Sequence, residues 1–88
     1  MEKYVIEGLD MDFTTFEDAL RTLKETLDAE SNYHYSINKD NAYTLCEVVY
    51  NEEYDFDEWH DLKPTITVKE YYDMSYDEKK EFFKELEG

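Results

Sequence analysis

The chain has 88 residues, enough for one domain with one modest core that buries about two-thirds of the unfolded surface. Its formal charge of −15, from 24 Asp and Glu against nine Lys and Arg, argues against nucleic acid or an anionic membrane as a direct ligand. A single Cys excludes an intramolecular disulfide and fits a reducing compartment.

The first residues lack a basic head followed by an apolar run, so no signal peptide is expected, and no apolar run reaches membrane-spanning length. A cytoplasmic protein is expected. Solubility needs only a few net charges, and the excess here destabilises the compact state by self-repulsion. Attraction to a basic partner would compensate. The plain alternative is that the charge serves solubility alone.

In chain order, Lys3 to Leu9 reads as a first strand, with Gly8 breaking or bulging it. Asp10 to Phe13 leads into a helix. Thr14 and Glu17 have capping-box spacing. Phe16, Ala19, Leu20, Leu23 and Leu27 then form one apolar stripe of a helix running to about Ala29. Glu17 with Arg21, and Lys24 with Asp28, stand four apart and can pair on its outer face.

Ser31-Asn32 ends that helix. Tyr33, Tyr35 and Ile37 alternate with polar residues, which predicts a half-buried strand, and Asn38 to Asn41 a turn. Ala42 to Tyr50 reads as a central strand with both faces partly covered, because Leu45, Cys46, Val48 and Val49 do not alternate cleanly. Asp55 and Glu58 have capping-box spacing, and Phe56 and Trp59 lie one turn apart, so a short helix or compact loop is expected over Asn51–Leu62. Phe56 and Trp59 are expected to close one end of the core. Pro64 disfavours helix at Lys63. Thr65 to Tyr71 predicts a last strand with Ile66 and Val68 inward. Ser75 and Glu78 form another capping box, opening a C-terminal helix with Tyr76, Phe83 and Leu86 on one side. The expectation is a single α+β domain over residues 1–88. Its three- to four-stranded antiparallel sheet carries helices packed on one face, in the order strand, helix, strand, strand, short helix, strand, helix.

The motifs of common chemistry are absent from the sequence. There is no glycine-rich phosphate loop, no paired-Cys zinc pattern and no His-Glu-x-x-His. Asp55-x-Asp57 and Asp10-x-Asp12 begin like calcium loops but lack the required glycine and final Glu. Cys46 in an apolar strand reads as a small buried hydrophobe, and His34 as exposed. Nothing in their spacing joins Cys46, His34 and His60 into a nucleophile and base. No catalytic residue, metal or cofactor is expected, and no enzyme.

What stands out is the run Tyr43–Leu62. No Lys or Arg lies between Lys39 and Lys63. Glu47, Glu52, Glu53, Asp55, Asp57, Glu58 and Asp61 are interleaved there with Tyr50, Tyr54, Phe56 and Trp59. Disorder goes with few aromatics, so this run predicts an ordered acidic surface with ring anchors. Carboxylates two apart on a strand stand roughly 6.6 Å apart. That pitch resembles successive phosphates of a duplex, and such a surface can occupy Lys/Arg sites built for phosphate. The candidate contact residues are Glu47, Tyr50, Glu52, Glu53, Tyr54, Asp55, Asp57, Glu58, Trp59 and Asp61.

In size, charge and this acidic run, the chain resembles, at the level of a class, the small acidic proteins of phages and mobile elements that inhibit nucleic-acid-binding defence enzymes. Anti-CRISPR and DNA-mimic anti-restriction proteins are examples. The resemblance implies an inhibitor that blocks a basic nuclease by occupying its nucleic-acid site. An immunity-type partner of a basic nuclease toxin, a small acidic regulatory or structural module with an exposed sheet edge, and a carboxylate metal binder remain open as alternatives.

Overall fold

Helix α1 (Phe16–Asn32) begins one residue later than its spacing suggests. In the computed structural model, which describes residues 2–63 and 65–87, Thr15 is the cap, and its hydroxyl accepts from Asp18 N–H at 3.2 Å. Arg21 pairs with Asp18 at 2.6 Å, and Glu17 is not its partner. The expected stripe is present: Ala19, Leu23 and Leu27 are buried, and Phe16 and Leu20 pack partly buried against the same core. The helix runs three residues past Ala29, to Asn32. Asp28 does not pair with Lys24; its carboxylate accepts from the Tyr71 hydroxyl.

The predicted strand at Tyr33–Ile37 does not form. His34, in the left-handed region at φ 54°, turns the chain into a short helix α2 (Tyr35–Asn38). Local bonds hold this turn: His34 C=O accepts from Ile37 and Asn38, and the Asn38 side chain donates to Tyr33 C=O. Tyr33 is 70% exposed and Ile37 76%, so burial does not reward period two here. Tyr35 instead packs on Tyr72, ring centroids 4.2 Å apart.

The sheet is antiparallel and five-stranded. β1 (Glu2–Glu7) turns back into β2 (Met11–Phe13), a strand the sequence reading missed. Gly8 and Asp10 make that turn, both with positive φ. β3 (Ala42–Asn51) pairs along its length with β1, placing Ile6 opposite Leu45 and Val5 opposite Cys46. On its other edge it pairs with β4 (Phe56–Asp61) and with β5 (Ile66–Thr67). Leu62 N–H donates to Leu45 C=O and Val68 N–H to Asn41 C=O, so the chain follows one edge of β3 through both strands. β5 ends at Thr67, short of the expected Tyr71, because Thr67 and Glu70 form a reciprocal capping box opening α3 (Val68–Asp73). Ile66 and Val68 are buried as expected. Pro64 lies outside the described residues. Ser75 and Glu78 exchange both capping bonds and open α4 (Tyr76–Glu87), which buries Phe83 and Leu86 while Tyr76 stays exposed.

Strand alternation sorts the sheet into two faces. Tyr4, Ile6, Tyr43 and Leu45 meet the helices. The buried apolar residues of α1, α3 and α4 all join the cluster on this side, and α2 buries none. Val5, Cys46 and Val48 point the other way, onto a face left without a helix cover among the described residues. The expected α+β architecture with helices on one face is therefore present, with one strand and one helix more than predicted. Among the described residues no helix is long and apolar enough to cross a membrane.

Gly8 fixes how closely β1 approaches β3. Its φ is +103°, and a Cβ there would run into the Ala42 carbonyl oxygen and the Tyr43 ring. Gly8→Ala is expected to cost about 2 kcal/mol, read as a lower urea midpoint at unchanged slope. An unaltered midpoint would contradict this packing.

Candidate protein-binding hairpin

Asn51–Leu62 forms neither the expected helix nor a loop: β3 and β4 make a hairpin. Asn51 Oδ1 accepts from the N–H groups of Glu53 and Tyr54, at 3.0 and 3.2 Å, and shapes the turn. Asp55 takes a left-handed φ of 54°, which Asp tolerates, and its carboxylate accepts from the Tyr50 hydroxyl. Phe56 then lies opposite Asn51, and pairing continues to Cys46 opposite Asp61. The capping-box spacing of Asp55 and Glu58 loses because a helix there would leave this edge of β3 unpaired.

Period two then decides where each side chain goes. Phe56, Glu58 and His60 lie on the helix side of the sheet, and Asp57, Trp59 and Asp61 on the open side. Phe56 is 47% exposed and Trp59 50%, so neither closes the core. As strand residues they point to opposite faces. Tyr54, also exposed, packs its ring 6.2 Å from Phe56.

The ten predicted contact residues therefore separate into three groups. Tyr50, Asp57, Trp59 and Asp61 share the open face. Glu52, Glu53, Tyr54 and Asp55 form the exposed turn. Glu47 and Glu58 lie half-buried on the helix side, Glu47 opposite Tyr4. The 6.6 Å carboxylate pitch is not realised on β4. Asp57 and Asp61 flank Trp59 four residues apart, roughly 13 Å at strand rise.

Behind these groups the open face holds a narrow apolar strip. Val5, Cys46 and Val48 are buried beneath their flanking side chains. Lys3 on the same face pairs with Asp12 at 3.4 Å. A shallow groove of about 350 Å³ lies between Glu2, Lys3, Val48, Tyr50 and Asp57.

The Cys46 thiol is fully buried and donates to Asp61 at 3.3 Å and Glu7 at 3.5 Å. Burial first, then these bonds and the two negative charges, push it up to about 12. A thiol held protonated is a poor nucleophile, which agrees with Cys46 as a small buried hydrophobe. Glu7, Cys46 and Asp61 do bring ligand atoms within 4.8 Å of one another, the one such group of three among the described residues. They are the residues that could hold a cation. No local pattern signals this, since they stand on three strands and meet only through the pairing register.

The cations collect elsewhere. Four of the nine Lys and Arg, namely Lys24, Lys79, Lys80 and Lys84, border one concavity beside α1 and α4. Three lie over rings: Lys24 over Phe83, Lys79 over Tyr71 and Lys80 over Tyr76, at 5.8, 4.7 and 5.3 Å. The hairpin's own carboxylates thus stand in a segment without cations.

Comparison with family models, with curated proteins and with solved structures finds no match.

Phenols tie the acids of α1 to the core. Tyr43 donates to Glu30 at 2.7 Å, and Tyr71 to Asp28. Burial, then these bonds, push both phenols well above the usual tyrosine range. The Glu2 carboxylate, 2.5 Å from the Tyr4 hydroxyl, pushes that phenol up to about 12. The Tyr50 phenol is raised by its bond to Asp55. Each folded value lies above the unfolded one, so their contribution to stability is full below pH ~10 and is lost as pH rises through the folded values. Part of the tyrosinate absorbance should appear only together with loss of the far-ultraviolet dichroism, well above pH ~10. Complete phenol ionisation near pH ~10 with the fold intact would contradict these contacts.

Proposed function

We propose that this protein inhibits a basic nucleic-acid-binding protein, a CRISPR-associated or restriction nuclease, by occupying its Lys/Arg-lined site with the β3–β4 hairpin. The observation that carries this reading is the hairpin itself: an ordered element with exposed carboxylates, exposed rings and no cation of its own. Glu52, Glu53, Asp55, Asp57 and Asp61 act as acceptors for Lys and Arg, and Trp59, Tyr50 and Tyr54 as ring contacts beside them. Steering by the net charge of −15 speeds the encounter and weakens with salt.

The protein acts by occupancy, without catalysis of its own, and works in the cytoplasm, where its single thiol stays reduced. The wide spacing of Asp57 and Asp61 favours contact with separate cationic side chains over a replica of adjacent phosphates.

The test is nucleic-acid binding by a panel of purified CRISPR-associated and restriction nucleases, with and without the protein, at low and high salt. At least one nuclease should lose binding at low salt and regain it at high salt. The folded triple variant Glu53→Lys, Asp57→Lys, Asp61→Lys should need at least about tenfold more protein for the same effect. A panel left untouched, or a triple variant as potent as the natural chain, would count against this function.

A further inference from the structure

We propose that the basic partner docks by adding a β-strand to the outer edge of β4, a strand with Lys or Arg at alternate positions. This rests on the reading of a basic partner and adds how that partner is held.

The first support is the direction of the backbone. β4 is the terminal strand in the order β2-β1-β3-β4. Leu62 N–H points inward to Leu45 C=O, and antiparallel pairing alternates. Phe56, Glu58 and His60 therefore turn their N–H and C=O groups to β3. Asp57, Trp59 and Asp61 turn theirs outward, leaving three donors and three acceptors in a row for a further strand. The far edge of the sheet is β2, with three residues, and offers a shorter template.

The second support is charge, which selects the occupant. The residues whose backbone groups face outward are also those whose side chains lie on the open face: Asp57, Trp59 and Asp61. Directly opposed residues of paired antiparallel strands have side chains roughly 5 Å apart. A second copy of this chain would set carboxylates against carboxylates, so the edge resists self-pairing. A strand with cations opposite Asp57 and Asp61 makes two charge-matched pairs. The residue between them lies over Trp59, whose exposed ring accepts an Arg guanidinium. The partner motif is thus basic-x-(Arg or apolar)-x-basic in an extended segment. Exposed acids of a disordered tail would ask only for positive charge; this edge also asks for spacing.

The experiment uses the full chain and two short peptides of identical composition, one with Arg at every second position and one with its arginines consecutive. At low salt the alternating peptide should bind about tenfold more tightly. It should also slow amide exchange at Asp57, Trp59 and Asp61. Trp59→Pro removes one outward N–H at a position where edge strands tolerate proline, and Trp59→Ala keeps that N–H. The proline variant should bind the alternating peptide more weakly than the alanine variant, with β1–β3 amides protected in both. Equal affinities for the two peptides, or binding without new protection on β4, would overturn strand addition and leave the basic-partner reading standing. Failure of both peptides to bind would overturn both.

Discussion

Strand β3 hydrogen-bonds to three other strands, and its two edges serve different ends. Toward β1 it completes the sheet floor on which α1, α3 and α4 pack. On its other edge it holds β5, which adds the buried Ile66 to that core, and β4, whose side chains have almost no core to bury. Tyr43, Thr44, Leu45, Cys46 and Val48 are buried, so β3 is anchored from both faces. That anchorage allows β4 to be ordered although its six residues are mostly exposed. Backbone pairing and the Asn51–Asp55 turn, more than apolar burial, keep Phe56–Asp61 in place.

The charges follow from the same arrangement. A chain this acidic repels itself, and only four ion pairs occur among its described residues. Several carboxylates are instead satisfied by phenols: Glu2 by Tyr4, Asp28 by Tyr71, Glu30 by Tyr43 and Asp55 by Tyr50. This is one use of the nine tyrosines in a small protein. Each of these four gives ring area to a core or surface and a donor to an acid. Lys24, Lys79 and Lys80 settle over rings beside α1 and α4, far along the chain from the hairpin. The outcome is a sheet edge whose carboxylates stand without a cation on β4.

Much of the fold was legible in the sequence, for reasons that can be named. The α1 stripe, the apolar cluster of Leu45, Cys46, Val48 and Val49 in β3 and the Ser75–Glu78 capping box are local patterns that burial or capping also rewards. Tyr33–Ile37 misled because five alternating residues satisfy a turn and short helix as well as a strand, and burial does not reward the alternation there. Phe56–Asp61 misled because Asp55 and Glu58 offered a helix start, while the competing demand, an unpaired edge of β3, is visible only once the sheet exists. The acidic surface was legible as a stretch of chain but not as a shape. Its division into an open face, a turn and a helix side, with Glu47 and Glu58 set apart, depends on register. So does the meeting of Glu7, Cys46 and Asp61.

All of this depends on β4 being an ordered edge strand whose backbone alternates between β3 and solvent. Residue-resolved amide exchange of the free protein tests it most directly. Exchange is expected to be slow at Glu58, His60 and Leu62 and fast at Asp57, Trp59 and Asp61. Fast exchange along the whole segment, or protection of consecutive residues as in a helical turn, would contradict it.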